Sequence, residues 1–543
     1  MNRREFLTAA GRVALGAGAV SLVAACADQR QSTAPPSAVG PRPSPAQSAS
    51  PGGSATPTGS GAAPAVGVTR DDAIARENRR PGHPGWNVFD GGSVPAADGF
   101  LDRVSVAAGE TLGLHLRTSS PTVVEWYRLG WYGGDGGRLV RVDPDVGPAA
   151  VPPTVVDPMT GMAEAPDPLA TGLTIPDDWP SGQYLAVFRP RVGSAGCAPF
   201  TVRPRAPGPG RAASAPVLFV SATATWQAYN NWGGADFYDA TTVDEPAVAG
   251  GRRAVRVSFD RPHLTRSGAG LMPRWELPFV RWQERHGRAV EYCADVDLEL
   301  HPEVVTGRRL IVFAGHHEYW SRPMRDTLEL AIANGTNVAF LSANEVYWQI
   351  RLEPSPLGAG RRITCWKSPT ADPLAATEPA LTTCRWREAP VNDPEATIIG
   401  QMYGHVVQRS ADWVVAGSSH WLYEGTRLGD GDRLTNLVGQ EFDTFDRAFA
   451  PPGTTILARS PVRALIRETG HGIAQPAPGL HTATVYTAES GATVFAAGTF
   501  QWSWALDARS NRSYHGIVTP VDPRVGRMTT NLFDRLGDGP LQA

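Results

Sequence analysis

Two imidazoles and a carboxylate stand side by side at the end of an apolar run. Residues 311–320 read IVFAGHHEYW, so that His316, His317 and Glu318 follow directly on a stretch that is expected to be buried. A carboxylate beside imidazoles suits a metal ligand or a general base. A glutamate in the first turn of a helix, stabilised by the helix dipole, is the plainer alternative. Adjacent side chains diverge, so one histidine is expected to face a site and the other a backbone carbonyl.

Polar side chains also follow other apolar runs. Asn344 comes after the run at 337–342, where many α/β enzymes hold a nucleophile. An amide cannot attack, but it can orient a carbonyl group or hold an oxyanion; capping a following helix is the alternative role. An amide- and aromatic-rich stretch, TWQAYNNWGG at 225–234, follows the run at 217–222, and Glu441 lies within a third apolar approach, LVGQEFD.

The chain around these residues alternates between strand and helix signals. After the apolar run at 308–314, Ser321 and Pro323 are typical of a helix start, and the helix is expected to end at Asn334, before the strand at 337–342. Strand, helix and strand at this spacing predict a βαβ unit in a parallel sheet. Because ligands bind outside the carboxyl ends of such strands, the polar residues are expected to meet at one edge.

The region before this part has a different pattern. Over residues 68–205 apolar and polar side chains alternate, as in TLGLHLRT, and turn signals separate the runs. We therefore predict an immunoglobulin-like β-sandwich at 68–205. A Pro-, Gly- and Ala-rich linker at 206–216 leads into an α/β domain that we assign to residues 212–543.

The N-terminus carries an export pattern. A twin-arginine motif, NRREFL, precedes an apolar run that ends in LVAAC, which resembles a bacterial lipobox with Cys26 as its cysteine. We predict a signal at 1–25, lipid attachment at Cys26 and a location outside the cytoplasm, anchored to the cell membrane. A plain cleaved secretory signal is the alternative. Residues 26–67 are rich in Pro, Ser, Ala and Gly and are predicted to be a disordered tether.

Composition argues against several classes of function. The net charge of -3 provides no basic field for nucleic acid, and no apolar segment after the N-terminus is long enough for a membrane span. No CxxC pair occurs, which argues against a thiolate zinc site. In an oxidising compartment Cys365 and Cys384, which lie in similar strand-like runs, are expected to form a disulfide, whereas Cys197 and Cys293 either pair or stay buried.

Five short motifs, taken in chain order, carry a resemblance to a known family. They are SATATWQAYNNWGG, VSFDRPH, FAGHHEYW, LSANEVYW and LVGQEFD. Together they resemble the C-terminal domain of the N,N-dimethylformamidase large (beta) subunit family over about residues 210–510. The resemblance implies a fold similar to the class I glutamine amidotransferases, which is flavodoxin-like, but without their nucleophilic cysteine.

The same resemblance implies hydrolysis of an amide C–N bond at a mononuclear iron that two tyrosines and one glutamate hold. Glu318 matches the glutamate, and Tyr229 matches the first tyrosine. The position of the second tyrosine corresponds either to His263 or to Tyr238. A histidine ligand would give the metal a different charge and redox preference.

Three further residues match polar groups beside the metal: His316, Asn344 and, as a second carboxylate that serves as a base, Glu441. The implied function is metal-dependent hydrolysis of a small-molecule amide or of an amide in the cell envelope. No nucleic acid is involved, and the lipid anchor provides the contact with the membrane. The family enzyme also works with a small subunit that this chain does not contain, and the oligomeric state is left open.

Two other functions fit the same residues. Sixteen tryptophans and a β-sandwich suit a non-catalytic surface lipoprotein that binds carbohydrate or peptide. Alternatively, Glu318 and Glu441 are the acid and the base of a metal-free glycan hydrolase. Stoichiometric iron in the purified protein would favour the amide hydrolase over both.

Overall fold

The computed structural model describes residues 72–89, 94–147, 151–206, 215–238, 253–466, 475–509 and 513–537. The predicted signal at 1–25, the lipidation site Cys26 and the tether at 26–67 lie outside these ranges, as does most of the predicted linker at 206–216. Within the described ranges, no helix combines the length and the apolar character that crossing a membrane requires.

The first part of the chain forms two main sheets around one core. After helix α1 (Asp72–Asn78), its strands are β1 (Ala97–Leu101), β2 (Ser105–Ala107), β3 (Thr111–Thr118), β4 (Thr122–Leu129), β5 (Gly137–Val146), β6 (Val155–Val156), β7 (Ala163–Glu164), β8 (Leu169–Thr174), β9 (Gly182–Pro190) and β10 (Gly196–Arg203). One sheet has the order β1-β3-β8 and the other β2-β10-β9-β4-β5. Leu114 of the first sheet and Trp126 and Phe188 of the second are buried in one apolar cluster. The two sheets therefore pack face to face, while their assignment to the immunoglobulin-like class stays a prediction.

The second part is organised around a nine-stranded mixed sheet. Its strands, and those of three smaller sheets, are β11 (Val217–Ser221), β12 (Arg256–Ser258), β13 (Val290–Ala294), β14 (Leu310–Phe313), β15 (Tyr319–Ser321), β16 (Asn337–Phe340), β17 (Trp348–Ser355), β18 (Gly358–Thr364), β19 (Met402–Val407), β20 (Ala411–Val414), β21 (Arg433–Val438), β22 (Glu441–Thr444), β23 (Thr455–Ile466), β24 (Gln475–Thr487), β25 (Thr493–Ala496), β26 (Ser513–Tyr514) and β27 (Ile517–Val518). The order is β13-β11-β14-β16-β25-β24-β23-β19-β22. The first five of these strands run parallel, and the other four are added antiparallel. The similarity to class I glutamine amidotransferases stays a prediction.

Seven α-helices belong to this part within the described ranges, besides short 3-10 and π turns: α2 (Thr223–Ala228), α3 (Met272–Trp275), α4 (Leu277–Arg285), α5 (Asp297–Leu300), α6 (Arg322–Ala333), α7 (Ala396–Ile399) and α8 (Pro523–Leu532). Helix α6 begins as predicted, because the Ser321 hydroxyl accepts a hydrogen bond from the Met324 N–H at 3.2 Å and Pro323 lies in the first turn. Strands β14 and β16 run parallel on either side of α6 in sequence, which confirms the predicted βαβ unit.

A smaller sheet stands beside the carboxyl end of β14. Its order is β12-β18-β17-β15, and β15 runs parallel to β17 with Tyr319 opposite Trp348. Strand β15 lies between β14 and α6 in sequence and follows directly on the His316–Glu318 segment. The sheet therefore fixes the backbone on the far side of that segment, which a simple strand-to-helix loop would leave less constrained.

A buried ion pair joins the two parts of the chain. Arg128 of β4 donates to the two carboxylate oxygens of Glu284 on α4 at 2.8 and 3.0 Å, and both side chains are fully buried. Tyr292 and Asn78 donate to the same carboxylate. Because each charge compensates the other out of water, loss of either partner leaves an uncompensated buried charge.

All four described cysteines are buried free thiols, so the disulfide predicted between Cys365 and Cys384 is not formed in this structure. The Cys365 thiol is directed at the Gln349 carbonyl oxygen at 3.7 Å, and the Cys384 thiol is directed at the carbonyl oxygen of Arg385 at 3.5 Å. Each sulfur thus has its own backbone acceptor. Burial raises the pKa of Cys365 to about 11 and that of Cys384 to about 12, which keeps both thiols protonated at neutral pH.

Candidate functional site

Three oxygen-bearing side chains converge where β14 gives way to β15. Glu318 is buried, and each of its carboxylate oxygens accepts a hydrogen bond from a phenol: Tyr229 at 2.6 Å and Tyr238 at 2.7 Å. The two phenol oxygens lie 3.0 Å apart. Two phenols and a carboxylate that come from separate stretches of the chain therefore share one small volume.

Glu318 is held as a carboxylate by its surroundings. Burial alone would raise the pKa of Glu318, but the hydrogen bond and charge of His316 and the charge of Lys367 outweigh it, so that the pKa lies below its ordinary value. His316 Nε2 is 3.1 Å from one carboxylate oxygen, and Trp348 Nε1 donates to the other at 3.1 Å. The Glu318 N–H donates to the Thr225 hydroxyl, which fixes the backbone at this point.

The loop that carries both tyrosines is closed by one buried arginine. Arg261 donates through Nη2 to the Asn230 carbonyl at 2.8 Å and through Nη1 to the Trp232 carbonyl at 2.9 Å. Tyr229 ends helix α2, and Tyr238 follows nine residues later, so these two carbonyls lie between the phenols in sequence. Arg261 thereby folds the segment back on itself and brings Tyr238 to Glu318.

Of the two alternatives for the second tyrosine position, the structure brings Tyr238 and not His263 to the carboxylate. His263 Nε2 lies 3.5 Å from Gln227 Nε2, and its ring packs edge-on against Trp226 with centroids 6.3 Å apart. Burial, with a contribution from the charge of Arg261, lowers the pKa of His263 to about 3, so it is a neutral imidazole. His263 is a packing residue near the site.

The adjacent histidines diverge, as predicted. One faces the site, but the other does not bond to a backbone carbonyl as expected. The His316 ring faces the site, 4.2 Å between centroids from Phe500, and its Nδ1 has no hydrogen-bond partner among the described residues. His317 turns away against Phe313, and neither of its ring nitrogens bonds to a backbone carbonyl. Burial and then His316 lower the pKa of His317 to about 3, which explains how an apolar site accommodates it.

Asn344 lies at the end of β16 in the left-handed backbone region, with φ of 55°. Its backbone N–H donates to Asp443 at 2.9 Å, while both polar atoms of its buried side chain have no hydrogen-bond partner in the described part of the chain. The alternative role of capping a helix is wrong, because strand β17 follows at Trp348. An unpaired buried amide is costly unless something binds to it, which favours a ligand-orienting role.

Glu441 opens β22, is buried, and lies within electrostatic reach of Asp443, the residue to which the Asn344 N–H donates. Burial, followed by the charges of Glu395 and Glu441, raises the pKa of the neighbouring Asp443 to about 8, although the bond from Asn344 opposes this. Glu441 and Asn344 therefore both influence the pKa of Asp443, in opposite directions. The loop before Glu441 is fixed to the Thr499 hydroxyl by the Gly439 N–H at 3.1 Å, next to the Phe500 that packs on His316.

Sequence reasoning missed two groups that contact the tyrosines. Tyr319 donates to the Tyr238 hydroxyl at 2.5 Å. The Lys367 ammonium lies 3.2 Å from the centroid of the Tyr238 ring and 4.8 Å from that of Trp348. The signal for Lys367 was compositional: the chain has 50 basic residues, and Lys367 is the only lysine among them. Among the described residues, no group of three His, Cys, Asp or Glu side chains forms a metal cluster, so the tyrosines distinguish this site.

Comparison with known proteins identifies relatives of the chain. Residues 123–515 match the family described as N,N-dimethylformamidase beta subunit-like, C-terminal. The N,N-dimethylformamidase beta subunit of an Alcaligenes species is 24% identical over 425 residues, which are 67% of this chain and 53% of that protein. The beta subunit from Paracoccus aminophilus is 24% identical over 336 residues, 55% of this chain and 42% of the relative. The chain thus spans about half the length of these curated relatives.

A solved structure of a Paenibacillus cycloisomaltooligosaccharide glucanotransferase, in complex with cycloisomaltoheptaose, is 9% identical and covers 46% of this chain and 45% of its own. Its TM-score of 0.15 is too low to support any argument about fold. The family match is wider than the five motifs suggested, because it begins within β4 rather than near residue 210. On the strength of that match, the chain belongs to the N,N-dimethylformamidase beta subunit-like family.

Proposed function

We propose that this chain hydrolyses the C–N bond of an amide at a metal centre held by Tyr229, Tyr238 and Glu318. The observation that carries the proposal is the convergence of two phenols and one carboxylate within hydrogen-bond distance of one another. All three are oxygen donors, and such donors suit hard cations such as ferric iron. Phenols lose their protons when they bind a metal, and the ammonium of Lys367 beside Tyr238 stabilises the negative charge of the phenolate that forms. The donor set therefore fits iron.

A cation in this position supplies Lewis-acid polarisation of a carbonyl group and a lowered pKa for water. The residues of the chain supply the rest of the chemistry. The Asn344 side chain, which has both a donor and an acceptor unsatisfied, orients the substrate amide. Glu441 accepts a proton from the attacking water. His316 is held at Nε2 by Glu318, so Nδ1 is the atom from which a proton passes to the leaving amine.

The surroundings of the site disfavour the two other functions. A glycan hydrolase needs a carboxylic acid that keeps its proton, but the pKa of Glu318 is lowered and two phenols already occupy its oxygens. A sugar-binding surface needs accessible aromatic rings, yet none of the sixteen tryptophans, all within the described residues, is exposed. Both observations support the amide hydrolase.

The substrate is proposed to be a small amide or an amide of the cell envelope. We also propose that the chain is exported through its twin-arginine signal and anchored by a lipid on Cys26. Replacing the cysteine, Cys26→Ala, should move the protein from the membrane fraction to the soluble extracytoplasmic fraction. Equal amounts of the variant and the wild type in washed membranes would contradict the lipid anchor.

The test of the metal centre uses substitutions that remove a phenol oxygen or replace one carboxylate oxygen and its charge. Tyr229→Phe, Tyr238→Phe and Glu318→Gln are compared by elemental analysis and by hydrolysis of small formamides and acetamides. All three should lose most of their iron and their amide turnover. Tyr486→Phe is the matched control, because Tyr486 is a buried tyrosine whose hydroxyl donates to the Ile398 carbonyl elsewhere in the fold. Full iron loading in Glu318→Gln would contradict the ligand assignment.

A further inference from the structure

A group of arginines near the candidate site has no acidic partner. Arg266, Arg274 and Arg409 form no ion pair with any carboxylate of the described residues. Arg281, by contrast, which lies on the following helix, pairs with Asp507 at 2.9 Å. Burial and the nearby charge of Arg266 lower the pKa of Arg274 to about 10, so its guanidinium still carries a positive charge at neutral pH.

The guanidinium of Arg274 is held in place but incompletely satisfied. Its central carbon lies 4.8 Å from the centroid of the Trp275 ring and 5.2 Å from that of Trp504. Nη2 donates to Gln440 at 3.3 Å and to the Ser513 carbonyl at 3.4 Å. Nε is buried and has no hydrogen-bond partner within the described part of the chain. Stacking on the two tryptophan rings fixes the plane of the guanidinium, while its Nε–H remains without an acceptor.

Arg274 adjoins the candidate site on two sides. Gln440, which accepts from Arg274, is the residue before Glu441. On the other side, Trp275 packs against Phe500 with centroids 5.2 Å apart, and Phe500 packs against His316. The proposed base and the proposed proton donor are therefore each linked to Arg274 through one or two intervening side chains.

Two more basic residues stand around this guanidinium. Burial and then the charges of Arg274 and Arg409 lower the pKa of His515, so both arginines lie within electrostatic reach of that imidazole. Arg409 and His515 are exposed, whereas Arg266 is half-buried. Like charges repel, and a half-buried cation without a counter-ion is unfavourable. Cation–π contact with two rings offsets part of this.

We propose that Arg274, with Arg266 and Arg409 around it, forms a subsite for an oxyanion, either a carboxylate or a phosphate, carried by the substrate. The planar fork of arginine matches the two oxygens of such a group. A ligand oxyanion would satisfy the unmet Nε and neutralise the repulsion among the arginines. The identity of the occupant as substrate rests on the proposed amide hydrolysis, and it narrows the substrate class to amides that carry an anionic group.

Calorimetry on the full chain tests the subsite without any need for turnover. Inorganic phosphate and acetate are titrated at constant ionic strength, with sodium chloride as the background, so that a difference between the two separates phosphate from carboxylate. At least one of them should bind, and Arg274→Gln should weaken that binding by about tenfold or more, as expected for loss of a charge-assisted hydrogen bond. Arg205→Gln should leave it unchanged, because Arg205 is an exposed residue paired with Asp177 in the first part of the chain.

Kinetics then test whether the anion belongs to the substrate. Succinamate carries a carboxylate where succinamide carries a second amide, and wild-type protein should show a lower KM for succinamate that Arg274→Gln abolishes. If Arg274→Gln does not fold, the exposed Arg409→Gln should weaken anion binding by about threefold. Equal binding of phosphate, acetate and chloride, or unchanged binding in both variants, would overturn the subsite. Anion binding without amide turnover would uphold the subsite and contradict the proposed function.

Discussion

The buried arginine that closes the tyrosine loop is expected to control metal binding without touching the metal. Arg261 is almost completely buried and forms its two short hydrogen bonds with the carbonyls of Asn230 and Trp232. Arg261→Met keeps an unbranched apolar stem that reaches about as far as Nε but removes the guanidinium and with it every donor. The segment between Tyr229 and Tyr238 then loses the contacts that hold its two ends together.

The size of the effect follows from those two bonds. A buried carbonyl left without a partner costs about 1–3 kcal/mol, so two of them destabilise the closed loop by about 2–6 kcal/mol. The loop can respond by opening to water while the nine-stranded sheet stays folded. Because substitutions behind a metal ligand typically cost 10–100-fold in affinity, we expect about that loss of iron affinity in Arg261→Met.

The assay is an iron titration of the metal-free protein, followed by thermal unfolding of both forms. Arg325→Met is the matched control: Arg325 is equally buried, and it donates to Asp393 and Thr397 rather than to the loop that carries the tyrosines. The control should lose stability but bind iron as the wild type does. If Arg261→Met unfolds at a lower temperature yet binds iron with unchanged affinity, Arg261 supports the fold alone and the argument about the loop fails.

Three other expectations follow from named contacts. Lys367→Met should lower iron affinity by about tenfold, whereas Lys367→Arg, which keeps the charge near Tyr238, should retain most of it in the same titration. Burial raises the pKa of Asp443 from 3.8 to about 8, so the folded state holds a proton that the unfolded state releases between these pH values. The free energy of unfolding should therefore fall as pH rises from about 4 to 8. In chemical denaturation, Asp443→Asn should show a shallower dependence of that free energy on pH. Arg128→Met should cost about 3–5 kcal/mol in chemical denaturation, because Glu284 keeps its buried charge; a loss below 1 kcal/mol would contradict that reading of the pair.

Local signals in the sequence were sufficient to predict the part of the site that lies between β14 and α6. An apolar run, a serine cap and a proline in the first turn act within a few residues of one another, and the structure has the helix start at the predicted place. Glu318 could be found because it lies between two such elements. Local signals did not reveal its environment: Tyr229 was found through the family resemblance, and Trp348 and Lys367 reach the site from stretches far apart in the chain.

The second tyrosine shows where local reasoning fails. Nothing in the spacing of residues 229–238 separates Tyr238 from His263, since the outcome depends on Arg261 bonding to carbonyls about thirty residues earlier in the chain. The alternative in which Asn344 caps a following helix was wrong for a similar reason. Pairing of Trp348 with Tyr319 across β15 and β17 draws the chain into a strand, and that pairing is a tertiary contact.

Lys367 was open to prediction, but from composition rather than from pattern. All the basic residues but one are arginines. The exception, Lys367, lies over the ring of a tyrosine beside the buried carboxylate. Arginine stays charged under all conditions and prefers planar partners, whereas an ammonium is a compact charge whose pKa responds to its surroundings. A site in which two phenols must lose protons benefits from a point charge that fits between aromatic rings. A lysine rather than an arginine at position 367 therefore suits the chemistry proposed for this site, and a search for the least-used ionisable residue would have found it.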